Sequence, residues 1–290
     1  MDRKERGFGS RIRTTSISSP SALSVLSVVI LFVALSCAGS AQMVRSYPAP
    51  RAEELLQAVR ARQAAVRGMN VETRATSWLG GERVRGTVQM LVERGGRLRF
   101  EAEVSLQGTV AALTVDGGQF AFIDHQKHLF RKGPACPGNV AALIRIPLAP
   151  AEVAAILLGD IPLPDGNKAT AVEWDSGRGA DVLSIEGRTG VKLRLGLRRS
   201  NLQVPAWDVV FVEGLDARGR WRVSYEDFER VSGVALPRLV RFAEPGKDFD
   251  DGVEIKIRER ALNPSFPEGA FSLEPPAGYQ VEFAACDAAR

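Results

Sequence analysis

Alternation of apolar and polar residues between Val84 and Arg131 constrains the fold of this chain more than any other feature of its sequence. A period of two residues is typical of strands that bury one face. Gly95-Gly96 and Gly117-Gly118 interrupt the alternation and supply the positive φ angles of tight turns. The sequence therefore predicts an antiparallel meander with one apolar face. The apolar positions of two successive strands are Val84, Val88 and Met90, then Leu98, Phe100 and Ala102.

Strand patterns resume at Thr170 and continue to Ile257, and two short apolar segments with helical spacing, Asn139 to Ile144 and Ala151 to Leu158, separate the two strand regions. A further amphipathic helix is predicted from Glu53 to Arg67. Roughly eleven short strands with this helical insertion predict a mainly β protein of the α+β class, a single large antiparallel half-barrel with covering helices. The tail from Asn263 contains four prolines and is predicted to be an extended wrap without a strand. The arginines placed on the solvent side of the first helix are Arg51, Arg60 and Arg62.

The charge distribution argues against a nucleic-acid partner. The net charge of the 290 residues is +4, but five basic and two acidic residues precede Cys37. That segment carries +3, so only +1 remains on the rest of the chain, which is too little for a basic binding surface.

The N-terminal 36 residues are predicted to be an export signal. Basic residues precede an apolar run of 14 residues from Ala22 to Leu35, shorter than the roughly 20 needed to span a bilayer. Ala34-Leu35-Ser36-Cys37 resembles a lipobox, which implies lipid attachment at Cys37; the alternative is ordinary cleavage after Ala41. The predicted organisation is a signal peptide (1–36), a lipidated cysteine and tether (37–50), and one domain with a C-terminal wrap (51–290).

The number of cysteines is consistent with one disulfide bond. If Cys37 carries acyl chains, then Cys136 and Cys286 are left as one pair in an oxidising compartment, and a disulfide between them is predicted. The alternative is two unpaired thiols, because the sequence does not show whether the two residues are close in space.

Few residues are suited to catalysis or metal binding. The two histidines, His125 and His128, flank a predicted turn, where surface exposure is the favoured interpretation and a metal site the alternative. No pattern of nucleophile, histidine and acid is visible, so we predict neither an enzyme, a metal nor a cofactor. Asp160 and Asp165 are predicted to be solvated turn acids. An acidic hairpin turn is the favoured interpretation of Asp248, Asp250 and Asp251, and a calcium loop is the alternative, although the spacing does not match an EF-hand.

Large apolar residues on the predicted strands exceed what a thin sheet needs. They are predicted either to line a cavity or to pack against the helices as an ordinary core, since the two arrangements give the same hydropathy pattern. On the strand that begins near Trp207, the side chains of Trp207, Val209 and Phe211 are all expected to lie on one face. The predicted lining residues are Val88, Met90, Leu98, Phe100, Phe120, Phe122, Trp207, Phe211 and Trp221.

Two short motifs resemble the outer-membrane lipoprotein receptor LolB and its soluble relative, the carrier LolA. Residues 105–109, Ser-Leu-Gln-Gly-Thr, are similar to the Leu-Gly loop between the third and fourth strands of LolB-like proteins. Residues 146–162, from Ile-Pro-Leu to Leu-Leu-Gly-Asp-Ile-Pro, resemble that family's segment of Pro-Leu, helix and Leu-Gly. The order of signal peptide, helix, meander, central helices and second meander is also similar.

This resemblance implies a lipid-anchored monomer in the outer membrane, facing the periplasm. It would bind acyl chains of lipoproteins, such as palmitate, in a hydrophobic cavity and aid their insertion, receiving them from a soluble periplasmic carrier. Leu106 would be the loop residue that enters the membrane. The alternative is a structural or sensory envelope lipoprotein that binds a protein partner without lipid transfer.

Overall fold

One sheet of long strands, with helices on one of its faces, makes up the part of the chain that the structure describes. The computed structural model describes residues 42–79, 82–104, 107–200, 207–217, 219–243 and 248–286. In chain order, its elements are α1 (Ala52–Ala65), β1 (Gly68–Leu79), β2 (Glu82–Glu93), β3 (Arg97–Val104), β4 (Gly108–Asp116), β5 (Gln119–Asp124), β6 (Leu129–Pro134), α2 (Pro137–Ile144), α3 (Pro150–Leu157), β7 (Lys168–Asp175), β8 (Ala180–Glu186), β9 (Lys192–Arg199), β10 (Trp207–Asp216), β11 (Gly219–Val231), β12 (Val234–Ala243), a 3-10 turn (Phe249–Asp251), β13 (Val253–Leu262) and β14 (Gln280–Phe283).

The strands form a continuous sheet in the order β14, β6, β5, β4, β3, β2, β1, β13, β12, β11, β10, β9, β8 and β7. Two meanders, β1 to β6 and β7 to β13, are joined side by side where β1 pairs with β13. The predicted architecture, one large antiparallel sheet with covering helices, is confirmed. The described residues hold fourteen strands rather than about eleven.

One of the additional strands lies in the C-terminal tail, where the prediction was wrong. Gln280–Phe283 forms β14 and pairs in parallel with β6. The prolines that argued against a strand end at Pro276. The segment after them can therefore donate ladder hydrogen bonds at the edge of the sheet.

The three helices among the described residues lie on one face of the sheet, which we call the concave face; the opposite face is the convex face. α1 packs against β7 and β10, α2 against β4, and α3 against β2 and β3. α3 is buried almost all round, as its apolar sequence predicts, and contributes Val153 and Ile156 to the core. Within the described residues, no helix combines the length and the apolar character required to cross a membrane.

The chain segments at the two ends of the domain are extended and packed against the sheet. The tail crosses the convex face, where the Arg99 guanidinium donates to the carbonyls of Ala270 and Ser272. The N-terminal segment 43–50 lies against β7 and β8, because the side chains of Arg45 and Tyr47 both donate to the fully buried carboxylate of Asp181. Burial is the main cause, and the hydrogen bond to Asp181 the second, that raises the pKa of Tyr47 to about 12. The Tyr47 hydroxyl therefore keeps its proton and remains a donor at neutral pH.

Candidate functional site

Most of the large residues considered as cavity lining are parts of a filled core. Leu98 and Phe100 have no exposed surface, and Phe120 and Trp221 are 2% exposed. They belong to one cluster that also contains the buried residues of all three helices. Phe122 is in the same cluster. Side chains that interdigitate in this way leave no space between them for a ligand.

One of the nine residues, Phe211, lies on the opposite face because of a bulge in β10. The register of β10 against β9 shifts between Val209 and Phe211, so these two side chains point to opposite faces. Phe211 lies on the convex face with Ala180 and Val182. Trp207 remains on the concave side, where its ring meets the ring of Tyr47 edge to face at 5.6 Å between centroids.

Val88 and Met90 line an apolar cleft on the concave face with a volume of about 190 Å³. α2 forms one wall through Leu143 and Ile144. The opposite wall is formed by the first residues of β13, Val253 and Ile255, and the floor is formed by Ala75, Gly86 and Ala102.

Small side chains on neighbouring strands produce this cleft. Ala75 of β1 lies directly opposite Gly86 of β2 and also opposite Ile255 of β13. One pair further along, Ala102 of β3 faces Val88. The sheet is therefore shallow at this point, while larger residues, such as Met90 opposite Phe100, fill the adjacent region. The last two residues of α2, Leu143 and Ile144, lie beside this shallow region.

The rim of the cleft is apolar and accessible to solvent. Val84 is 51% exposed and Val104 is 42% exposed, and both line the cleft. Arg85 and Glu103 add one charge of each sign to the lining. Val104 ends β3, and the next two residues, Ser105 and Leu106, lie outside the described residues. The membrane-inserting role of Leu106 therefore stays a prediction.

A polar network lies at the opposite end of β2. The Arg94 guanidinium donates to the Asp160 carboxylate at 2.8 Å and to the Val66 carbonyl at 2.7 Å. The hydroxyl of the buried Tyr225 donates to the Asp160 carbonyl at 2.6 Å. These contacts attach the segment that follows α3 to the end of α1 and to the β2–β3 turn.

The sequence-based placement of two residues in this network was wrong. Asp160 was predicted to be a solvated turn acid, but it is only 1% exposed. Burial raises the pKa of Asp160, and the nearby Arg94 opposes that rise. Arg62 was predicted to face solvent, but its guanidinium donates to the carbonyls of Gly159 and Ala235. In both cases the partner is distant in sequence.

A larger groove, about 470 Å³, crosses the convex face. Phe211, Phe228 and Phe249 contribute to it, but its lining is otherwise rich in charged residues. Charged groups lose hydration when an apolar ligand covers them, so the concave cleft is the better apolar site. The charged residues of the convex groove are Arg178, Arg198, Glu213, Arg222, Glu226 and Asp227.

The remaining predicted site residues have structural contacts or lie outside the described part. Cys136 and Cys286 form a disulfide, with Cα atoms 6.0 Å apart. His125 Nδ1 is 2.8 Å from the Tyr279 hydroxyl, and no group of three or more potential metal ligands occurs in the described ranges. Cys37 and the predicted signal peptide lie outside those ranges.

An open antiparallel sheet with helices on its concave face is the architecture of LolA-like proteins. Among solved structures, a LolA superfamily protein from Nitrosomonas europaea is similar to the chain, with a TM-score of 0.53 and 13% identity over 78% of this chain and 99% of that one. A putative outer membrane lipoprotein-sorting protein domain from Vibrio parahaemolyticus has a TM-score of 0.54 and 11% identity, over 76% of this chain and 97% of that one. A DUF1329 family protein from Desulfovibrio piger has a TM-score of 0.52 and 10% identity, over 74% of this chain and 95% of that one.

The sequence itself matches no protein-family model, and no curated protein matches it. At identities of 10 to 13%, the structural similarity defines the fold and leaves the ligand to be argued from this chain's own residues.

Proposed function

We propose that the chain is a non-enzymatic lipid-binding protein of the bacterial envelope, whose concave cleft takes a fatty acyl chain of a lipid or lipoprotein. The observation that carries this proposal is the apolar cleft itself, floored by Ala75, Gly86 and Ala102 and bordered by α2. Each methylene moved from water into such a site contributes about 0.8 kcal/mol, so a chain inserted over part of its length is held reversibly. Reversible binding suits a protein that receives and passes on acyl chains.

In this proposal, Cys37 carries the lipid anchor and the domain works in the periplasm at the outer membrane, aiding the insertion of lipoproteins. The exposed Val84 and Val104 support a membrane-facing rim, since isolated valines at the mouth of an apolar cleft could contact acyl chains during transfer. Leu106, two residues beyond Val104 in the sequence, is the residue that we propose enters the membrane.

Titration of the purified full-length chain with a fluorescent fatty acid, followed by displacement with palmitate, tests the proposal. Gly86→Leu places a branched side chain in the floor of the cleft and should weaken binding at least about tenfold, because the ligand loses the space it would bury in. Thr87→Leu adds the same side chain at the next position of β2, where it faces the convex side, and should bind like wild type. A folded wild-type chain that takes up no fatty acid would instead favour a structural or sensory role.

A further inference from the structure

The Cys136–Cys286 disulfide joins the C-terminal tail to the helix that borders the cleft. Cys136 is the residue immediately before α2, at its N-cap. The last residues of the same eight-residue helix, Leu143 and Ile144, form a wall of the cleft. The disulfide and the cleft are therefore at opposite ends of one short helix.

Noncovalent contacts hold the tail only weakly at this position. β14 has four residues, pairs in parallel with β6 and lies at the edge of the sheet, so it is held by a short ladder on one side only, of the slightly less stable parallel type. The side chains of Val281 and Phe283 are 52% and 72% exposed, so they bury little apolar surface. The ion pair of Arg131 with Glu282 is also exposed and contributes little.

The tail in turn supports the start of α2. The Asn139 side-chain amide donates to the Ala284 carbonyl at 3.1 Å and to the Pro134 carbonyl at 2.9 Å. The Ala284 amide donates to the Lys132 carbonyl at 2.8 Å. Release of the tail would remove the bond between Asn139 and Ala284 and leave the first turn of α2 with fewer contacts.

The two sulfurs differ in their surroundings. Cys286 is exposed, whereas Cys136 is partly buried. A thiolate on Cys136 would lie at the N-terminus of α2, where the helix dipole and the free backbone amides favour negative charge. Exchange should thus begin at Cys286 and expel the sulfur of Cys136, since the better-stabilised thiolate leaves more readily.

We propose that Cys286 is a site of thiol–disulfide exchange with a dithiol, and that the state of this disulfide regulates the cleft through α2. A thiolate of the dithiol attacks Sγ of Cys286 and forms a mixed disulfide, and the electron pair of the broken bond leaves on Sγ of Cys136. The second thiolate of the dithiol then attacks its own partner sulfur and releases Cys286. The dithiol is oxidised to a disulfide, the protein pair gains two electrons, and the two cysteines take up the two protons that the dithiol gives up.

The chemical step is tested with glutathione, a monothiol that stops at the mixed disulfide. The folded full-length chain is incubated with glutathione, quenched with acid, alkylated and mapped by peptide mass spectrometry. The expected adduct is on Cys286, with alkylation on Cys136. An adduct mainly on Cys136, or exchange only under unfolding conditions, would overturn the proposed chemistry.

The regulatory step, which rests on the proposed function, is tested by hydrogen exchange and ligand dissociation before and after reduction with dithiothreitol. Amides of α2 should exchange about tenfold faster after reduction, and a bound fluorescent fatty acid should dissociate about tenfold faster, as expected for the loss of about one hydrogen bond. The variant with Cys136→Ser and Cys286→Ser should behave like the reduced chain and should not respond to dithiothreitol.

The two readouts separate the two proposals. If reduction leaves the exchange of α2 unchanged, the disulfide is a passive crosslink and the regulatory inference fails, whether or not fatty acid binds. If α2 loosens but no fatty acid binds to either form, the coupling stands and the proposed ligand is wrong.

Discussion

Ala75 and Gly86 lie directly opposite each other on β1 and β2, and together they form the shallowest part of the concave face. A Cβ atom on Gly86 would have the Glu103 carbonyl oxygen as its nearest neighbour, at 3.7 Å, which is ordinary van der Waals contact, and the space beyond it is the cleft.

Gly86→Leu should therefore leave the free energy of unfolding unchanged or raise it by about 1 kcal/mol, because leucine replaces a weak strand former and fills empty apolar space. Urea unfolding followed by tryptophan fluorescence measures this. A loss of more than about 1 kcal/mol would mean that the cleft is not open space.

Gly214, unlike Gly86, has no space for a side chain. It lies directly opposite Trp221, and a Cβ atom there would lie 2.1 Å from the indole ring, which is 2% exposed. Gly214→Ala should lower the free energy of unfolding by about 3 kcal/mol, because the ring must move within a packed core. Gly86→Ala is the matched control and should change it by less than about 1 kcal/mol. Equal effects in urea unfolding would contradict the assignment of Trp221 to the core and of the cleft to Gly86.

Asp160 should make stability depend on pH. Its pKa in the folded chain is raised by burial above the ordinary value of about 4. The folded state therefore binds the proton more tightly than the unfolded state, and the resulting stabilisation is complete below about pH 4 and is lost as pH rises through the folded pKa.

The measurement is urea unfolding of wild type and Asp160→Asn between pH 4 and pH 7. The stability of wild type relative to the variant should decrease as pH rises. A relative stability that increases with pH would show that Arg94 outweighs burial at Asp160.

The N-terminal segment should contribute to the stability of the whole domain. Asp181 is fully buried, and Arg45 is the cation that pairs with it. Arg45→Ala should lower the free energy of unfolding by about 3 kcal/mol, because among the described residues it leaves the buried carboxylate with only the Tyr47 hydroxyl as a side-chain donor. Adding Asp181→Asn should recover part of that loss. If Arg45→Ala is neutral in urea unfolding, segment 43–50 is a loose tether.

The alternation between Val84 and Phe100 was sufficient to predict the strands and the buried face of the first meander, because strand pairing there is regular. The same rule failed at Phe211, since one bulge changes the face of every later residue and hydropathy does not reveal bulges. Asp160 and Arg62 were misplaced because their partners, such as Arg94 and Ala235, are brought near only by the folded sheet.

The candidate site was only partly predictable, for a related reason. A search for large apolar residues finds the core, whereas this cleft exists where side chains are small. Ala75, Gly86 and Ala102 carry no signal individually, and only their strand register places them together. One small residue at an inward-facing position on each of three neighbouring strands is the pattern that could have indicated the cleft.

The central claim is that an acyl chain binds in the concave cleft, and photo-crosslinking tests it most directly. The full-length chain is loaded with a fatty acid that carries a photoreactive group near its methyl end, irradiated, and analysed by peptide mass spectrometry. Crosslinks are expected on Leu143, Ile144 and the β2 residues Val88 and Met90, and they should be reduced by Gly86→Leu and by excess palmitate. Crosslinks confined to the convex groove around Phe211 and Phe249, or unaffected by either change, would contradict it.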